Sequence, residues 1–259
     1  MSTEHPINPD RFADTAGVPW DGRHFEANSW AGDDGTADAG LLSVLASFRA
    51  GDAVAEQVVE AARSTRVLIP LLADLGESGT NDAGLQVDKS AELSIVTVQT
   101  PDLQSGLPVF SSVEAMRRWN DKARPVPVEI AKAALAAAKE GNTRLVLDAG
   151  SGTEFVFRRT AIAALATGKP WVHPVRSQDV VGAFGKAIEG IDQIKSFNLE
   201  DGDPLCLLDS AEILLVLVLE PGLDRQQIDE IMKSLAEAIS QSFEIAEEVD
   251  SLRVKLAAL

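Results

Sequence analysis

The chain has 259 residues and a net charge of −17 at pH 7, and 45% of its residues are hydrophobic, as in globular proteins. So acidic a protein repels polyanions, which disfavours nucleic acids and anionic membrane surfaces as partners. Aromatic residues make up 5% of the chain and tyrosine is missing, which disfavours an exposed aromatic platform for bases or sugars.

The charge is unevenly spread along the chain. Residues 1–109 have a balance of −11, residues 110–178 a balance of +5, and residues 179–259 again −11. The basic middle has two explanations. It either matches the acidic flanks electrostatically, or it forms a site for a small anion or an acidic partner.

The N-terminus and the apolar runs predict a cytoplasmic protein. The first residues are polar and acidic, without the basic and apolar regions of a signal peptide. The longest apolar run, residues 213–219, is far shorter than the roughly 20 residues of a membrane-spanning helix. A single cysteine, Cys206, forms no internal disulfide, which fits a reducing compartment.

In chain order, residues 1–37 are predicted to form an irregular N-terminal segment, called the lead below. Its aromatic residues Trp20, Phe25 and Trp30 are predicted to dock on a core. An apolar stripe from Asp38 to Gly51 predicts the first helix, and residues 53–63 the second.

Strands follow at residues 65–73, 92–100 and 107–110. The polar loop between the first two, residues 74–90, suggests a hairpin with a long excursion. Ser111 and Glu114 have the spacing of a capping box, which predicts a helix over about 112–121.

Prolines predict an extended piece at residues 123–128, and an alanine-rich helix follows, closed by Gly141. Strands at residues 143–148 and 153–158 flank a turn at 149–152, and the next helix ends at Gly168.

Residues 169–178 are predicted to be a linker. Beyond it, the pattern predicts a helix at 179–189, strands at 191–199, 205–208 and 212–219, a helix at 224–242, and a strand at 252–256. The fold class is therefore α+β in two lobes, each a mixed or antiparallel sheet packed with helices. The predicted division is a lead (1–37), an N-terminal domain (38–176) and an acidic C-terminal lobe (177–259).

Three stretches carry a family resemblance: LPVFSSVEAMRRW (107–119), TRLVLDAGSGTEFVFRRTAIAALATG (143–168) and VPWDGRHFEANSWAGDDGTADAGLL (18–42). Together they resemble the enhanced-serine-sensitivity family, SseB, in its longer actinobacterial form, over roughly residues 18–176. Ala149 stands where the family pattern has proline. The resemblance implies a cytoplasmic binding or regulatory role near amino-acid metabolism, and it supplies no catalytic residues.

Nucleophilic chemistry needs a serine or cysteine beside a base. None of His5, His24 and His173 stands in a catalytic motif. Cys206, between leucines, is predicted to be an inert core residue. The pattern favours a protein that is not an enzyme, although a site assembled from scattered residues and linked to serine or amino-acid metabolism stays open.

The carboxylate clusters at residues 201–203 and 33–38 lack the loop of a calcium site and are interpreted as solvated turns. The glycine-rich turn at 149–152 is interpreted as a hairpin, because it leads into a strand and not into a helix. We predict no cofactor and no metal.

The candidate ligand-binding set comes from the basic middle: Arg117, Arg118, Trp119, Arg124, Arg158 and Arg159. Guanidinium groups bind carboxylate or phosphate through paired hydrogen bonds. The set converges if the strands that end at Phe110 and Phe157 are neighbours. The alternative is that these arginines are solvated or paired with Glu114, Asp148 and Glu154.

A stripe on the last long helix includes Ile231, Leu235 and Phe243, and either packs on its own sheet or forms a dimer seam. The leading hypothesis for function is a non-catalytic binding or regulatory module that contacts a protein partner or a second copy. The alternative is a protein that binds a small carboxylate or phosphate.

Overall fold

The structure is a computed structural model that describes Trp30, residues 32–74 and residues 92–258. The chain divides into two compact units, Met1–Asp34 and Gly35–Leu259, and every element named below lies in the second. Most of the predicted lead, with Trp20 and Phe25, and most of the predicted loop at 74–90 lie outside the described residues.

Helices and short strands follow one another throughout the described residues. The α-helices are α1 (Ala39–Ala50), α2 (Ala55–Arg63), α3 (Val113–Trp119), α4 (Ile130–Lys139), α5 (Arg159–Thr167), α6 (Gln178–Ile188), α7 (Arg225–Ser240) and α8 (Phe243–Glu248). The strands are β1 (Arg66–Asp74), β2 (Glu92–Ile95), β3 (Val98–Gln99), β4 (Ser105–Val109), β5 (Arg124–Glu129), β6 (Arg144–Leu147), β7 (Phe155–Phe157), β8 (Ile194–Asp201), β9 (Ile213–Leu219) and β10 (Leu252–Ala258).

The strands form three sheets in the described part of the chain. The first is antiparallel, in the order β2-β1-β5. The second is mixed, in the order β3-β4-β6-β7, with β4 and β6 parallel. The third, in the order β10-β9-β8, pairs β9 parallel to β10 and antiparallel to β8. This confirms the predicted α+β class.

Local capping explains why several helices begin and end where the sequence predicts. The Asp38 carboxylate accepts a hydrogen bond from the Leu41 amide at 2.8 Å and so caps α1. Gly51 and Gly168 end α1 and α5 with φ angles of 81° and 68°, which favour glycine.

The turn after β6 is a hairpin, as predicted. β6 and β7 pair antiparallel, and the Gly150 amide donates to the Glu154 carboxylate at 2.6 Å. A side chain of the same chain therefore occupies an amide that a phosphate-binding loop would offer to its ligand.

The single strand predicted at residues 92–100 is wrong. β2 pairs with β1, which confirms the hairpin, but β3 pairs with β4 in the second sheet. The chain therefore passes from one sheet to the other within this run, and an uninterrupted β-branched pattern carries no signal of that crossing.

The capping box predicted at Ser111 is also wrong. The N-cap of α3 is Ser112, whose hydroxyl accepts from the Ala115 amide at 3.1 Å. Ser111 is buried instead, and its amide and hydroxyl both donate to the Asp148 carboxylate at 2.7 Å. The buried carboxylate competes for Ser111 and shifts the cap by one residue.

The strand predicted at residues 205–208 is absent, and this stretch forms turns. The Asp203 carboxylate accepts from the amides of Leu207 and Leu208, and the φ angles of Cys206 and Leu208 are positive, at 50° and 65°. Gly202 is required beside it, since a Cβ there would lie 2.2 Å from the Ala211 carbonyl oxygen. Asp203 is buried, so the solvated turn predicted at 201–203 is wrong for this residue.

The helix predicted at residues 224–242 is confirmed as α7, but a second helix follows it. Ser242 caps α8 through the Ile245 amide at 3.3 Å. Ile231 and Leu235 of the predicted stripe are buried, whereas Phe243 lies on α8 and is 74% exposed. Phe243 therefore does not extend the stripe.

Two main clusters of buried hydrophobic residues hold the fold. The first contains residues of α1, α2, α4 and α5 with the strands they cover, and Cys206 joins it. The second lies between α6, α7, α8 and the third sheet.

The predicted division into residues 38–176 and 177–259 stays a prediction. None of the described helices is long and apolar enough to span a membrane.

Candidate functional site

Arg144, at the start of β6, is a buried cation with carboxylates on two sides. Its guanidinium donates two parallel hydrogen bonds to Asp250, at 2.8 and 2.9 Å, and a third to Asp102 at 2.8 Å. Asp250 lies two residues before strand β10, so this contact ties the third sheet to the second. Paired hydrogen bonds of this kind fix the orientation of both groups.

Arg158, at the N-cap of α5, shares the Asp250 carboxylate. It donates to Asp250 at 3.2 Å, to Asp203 at 2.6 Å and to the Ser210 carbonyl at 2.7 Å. Burial disfavours its charge, but the hydrogen bond and attraction of Asp203, helped by Asp250 and Glu212, raise the pKa of this guanidinium above its ordinary value. Arg158 is therefore a structural cation.

Glu212 lies directly before β9 and is 2% exposed. One carboxyl oxygen accepts from the Asp250 amide at 2.7 Å, whereas Oε1 is buried without a hydrogen-bond partner. Burial raises the pKa of Glu212 to about 7, and the neighbouring Asp250 charge adds to the shift. The carboxyl is thus partly protonated near neutral pH.

A small cavity of about 10 Å³ adjoins Glu212. Its lining also includes Arg158, His173, Asp203 and Cys206. Such a volume has room for about one water molecule and for no larger ligand.

The prediction that Cys206 is a core residue is confirmed. It is buried, and burial raises the pKa of its thiol well above the ordinary value, with the charges of Asp203 and Asp201 adding to the effect. His173 is also buried, and burial lowers its pKa although Asp201 lies 3.7 Å away. A thiol that stays protonated is a poor nucleophile.

An open cleft of about 580 Å³ lies beside the two arginines. Arg159 also lines it and donates to the carbonyl oxygens of Ala246 and Val249 at 2.8 and 3.0 Å. Three carboxylates, Asp102, Asp209 and Asp250, line the same cleft as the three arginines. Its charge is therefore balanced within the chain.

The rest of the predicted set lies on α3 and β5. Arg117, Arg118 and Arg124 are exposed, and Arg118 pairs with Glu114 one helical turn away. The Trp119 ring packs on Phe110, with centroids 5.3 Å apart. The condition for convergence with Arg158 and Arg159 is not met, because β6 lies between β4 and β7.

Four residues of the buried network escaped the sequence analysis: Arg144, Asp203, Asp250 and Glu212. Each is a charged residue beside an apolar strand or a turn, and this position is the sequence feature that could have pointed to it. A sequence shows such a charge but not its partner, since Arg144 and Asp250 are 106 positions apart. Among the described residues, no group of three His, Cys, Asp or Glu side chains is placed to hold a metal ion.

Among the described residues, helices cover one face of the third sheet and leave the other face open. On β9, Ile213, Leu215, Leu217 and Leu219 are buried in the second hydrophobic cluster, whereas the alternate residues Leu214, Val216 and Val218 are half-buried and belong to none of the buried clusters. Flanking side chains on the same face are exposed: Ser196, Asn198, Glu200, Arg253 and Lys255. We call these eight residues, with Ala257, the open sheet face.

Residues 41–164 match the family model of the SseB protein N-terminal domain. This match, over slightly less than half of the chain, supports membership of the SseB family. The match begins in α1 and ends in α5, so it includes Arg144 and Arg158 but none of Asp203, Glu212 and Asp250. Searches of curated proteins and of solved structures found no match. The longer actinobacterial form stays a prediction.

Proposed function

We propose that this SseB-family protein is a non-catalytic cytoplasmic module that acts through protein–protein contacts. The observation that carries the proposal is the open sheet face, with its apolar strip of Leu214, Val216 and Val218 between rows of exposed polar side chains. A flat apolar patch with a polar rim is typical of a protein interface, whereas small ligands bind in concave pockets.

The buried network supports the same conclusion, since its two arginines are engaged within the chain. Arg144 and Arg158 are held by carboxylates, and Cys206 stays protonated. Glu212 has the shifted pKa of a catalytic acid. Its cavity of about 10 Å³ admits no substrate in this conformation, which argues against an enzyme of serine or amino-acid metabolism.

Capture from cell lysate with the tagged full chain tests the proposal. The informative variant is Val216→Asp, which places a charge at the centre of the apolar strip. Its matched control is Val181→Asp, the same change at an exposed valine of α6, in the helical layer on the other side of the sheet. We expect proteins captured by the wild type and by Val181→Asp but lost with Val216→Asp. The same captured set with all three chains would contradict the proposal.

The second candidate is binding of a small carboxylate or phosphate at Arg158 and Arg159, the two members of the predicted set that line a common cleft. The remaining members of that set, Arg117, Arg118, Trp119 and Arg124, lie elsewhere, on α3 and β5. The observation in its favour is the cleft of about 580 Å³, which three arginines line. A ligand bound to the folded state at a hundred times its dissociation constant adds about 2.7 kcal/mol of stability.

A thermal-shift screen against amino acids, nucleotides and small phosphates therefore separates the two candidates. A saturable shift that is lost with Arg159→Ala but kept with Arg117→Ala would place ligand binding first, at the cleft. If no compound shifts the melting temperature at millimolar concentration, the ligand hypothesis fails and protein contacts remain.

A further inference from the structure

The two edges of the open sheet face carry opposite polarity. On β8 the exposed residues in register with the strip are Ser196, Asn198 and Glu200, and Glu200 accepts a hydrogen bond from the Asn198 side-chain amide at 3.3 Å. Lys195, at the bulge of β8, is also exposed, but it pairs with Glu220 at 2.9 Å. On β10 the exposed residues include Arg253 and Lys255, and no described carboxylate lies within ion-pair distance of either cation. One edge is thus anionic and the other cationic.

Strand register places these residues in rows across the sheet. Glu200, Leu214 and Arg253 form the first row, because Leu214 pairs with both of the others. Asn198, Val216 and Lys255 form the second row in the same way. The strip on β9 therefore has an acidic or acceptor side chain on one side and a cation on the other.

This pattern is complementary to itself under one symmetry operation. A two-fold axis in the plane of contact and parallel to β9 turns β8 of one copy over β10 of the other, and keeps each row at its own level. Glu200 of each copy then faces Arg253 of the other, and the two Val216 side chains meet near the axis. A two-fold axis perpendicular to the strands would instead place cationic edge on cationic edge, which is unfavourable.

We propose that two copies of this chain associate through their open sheet faces, about a two-fold axis parallel to β9, with Glu200 of each copy against Arg253 of the other. This names the partner in the proposed function and rests on it. Sheets packed in this way keep their strands within about 30° of each other, and an isologous contact of this kind closes as a dimer.

The size of the face sets the strength of the contact. Strands of 7 residues span roughly 23 Å at about 3.3 Å per residue, and three strands span roughly 14 Å, so each copy contributes on the order of 300 Å². A standard interface buries about 800 Å² per partner. The dimer is therefore weak, and its mass should rise with concentration over about 5–500 µM.

Sedimentation equilibrium of the full chain over this range measures the association, and two single charge reversals test the geometry. Glu200→Arg places arginine against arginine twice, and Arg253→Glu places glutamate against glutamate twice. We expect each variant alone to dimerise roughly 30-fold more weakly than the wild type. Mixed in equal amounts, they should associate as well as the wild type, because both contacts in the mixed dimer are complementary. If each variant were weakened only by charge repulsion within its own chain, mixing the two variants would not restore the association.

Val216→Asp adds an independent measurement, since two carboxylates would meet at the axis. We expect the dissociation constant to rise on the order of 100-fold, and Val181→Asp to leave it unchanged. The circular dichroism of each variant confirms that it is folded.

The outcomes separate this inference from the proposed function. A wild type that stays monomeric throughout the range overturns the dimer, and the proposed function still stands if Val216→Asp loses captured proteins that Val181→Asp keeps. A dimer that is unaffected by Val216→Asp, or charge variants that do not recover on mixing, would overturn this geometry.

Discussion

The protein uses its arginines in two contrasting ways. Arg144 and Arg158 are buried, each binds two carboxylates, and together they join the second sheet to the segments around β9 and β10. Arg117, Arg118 and Arg124 are exposed on α3 and β5, where Arg118 has one carboxylate partner on its own helix. In the sequence the two groups look alike.

The difference teaches that an arginine's surroundings, and not its place in a basic stretch, decide its energetic role. A buried pair is costly to break, because the remaining charge stays out of water without compensation. An exposed pair contributes little, since water and salt screen it. The following changes test this contrast, from the largest expected effect to the smallest.

Removing Asp250 should have the largest effect. Asp250→Ala takes the shared carboxylate from both Arg144 and Arg158, and the free energy of unfolding should fall by about 3–5 kcal/mol. Urea unfolding followed by circular dichroism measures it. Asp209→Ala, at an exposed carboxylate of the same cleft, is the control and should change stability by less than about 0.5 kcal/mol. Equal effects of the two changes would mean that Asp250 has no special role.

Glu212→Gln should change how stability depends on pH. The folded protein holds the Glu212 proton up to a pKa of about 7, against an ordinary value of 4.5. The raised pKa means that the wild type loses stability as pH rises from about 4.5 to about 7, by about 3 kcal/mol in all. The glutamine of the variant mimics the protonated carboxyl, so the variant should not lose this stability as pH rises.

Unfolding at pH 5 and at pH 8 measures this difference. Wild type and Glu212→Gln should be close in stability at pH 5, and the variant should be more stable at pH 8. His173, whose pKa is lowered by burial, acts in the opposite direction as pH falls, but it is present in both proteins and cancels in the comparison. If the difference in unfolding free energy between the two proteins is the same at pH 5 and at pH 8, Glu212 ionises with its ordinary pKa.

Ser112→Ala tests the N-cap of α3, the helix that carries the exposed Arg117 and Arg118. Loss of the hydroxyl that caps α3 should lower the free energy of unfolding by about 1 kcal/mol. Ser112→Asp keeps a capping acceptor and should remain close to the wild type. If both variants lose the same amount, the Ser112 cap does not contribute to stability.

Arg118→Ala should have the smallest effect. Its exposed pair with Glu114 is expected to contribute less than about 0.5 kcal/mol, and salt should reduce even that. Thermal melts at low and at high salt, with Arg117→Ala alongside, measure it. A loss as large as that of Asp250→Ala would erase the contrast between the buried and the exposed arginines.

Much of the fold was predictable from local pattern. Helix α1 begins after Asp38 and ends before Gly51, and Gly168 ends α5, because helix caps act within a few residues. The errors arose where a distant group intervened. Asp148 binds Ser111 and moves the cap of α3, and Asp203 holds the turn that replaced a predicted strand.

The candidate site was predicted less well than the fold. Arg158 belongs to the predicted set, yet Asp203 and Asp250, which neutralise it, do not. The open sheet face was not predicted at all. A run of seven apolar residues shows that β9 is a strand, but it does not show that helices cover only one of its sides.

The sequence by itself determined the α+β class, the SseB relationship, most element boundaries and the burial of Cys206, since these follow from composition, caps, periodicity and the apolar residues beside the cysteine. Tertiary structure alone decided which charges meet, how Glu212 came to be buried with an unpartnered oxygen, and which face of the third sheet is left uncovered. Those features join positions far apart in the chain, and the energy of such a contact depends on geometry that no local pattern carries.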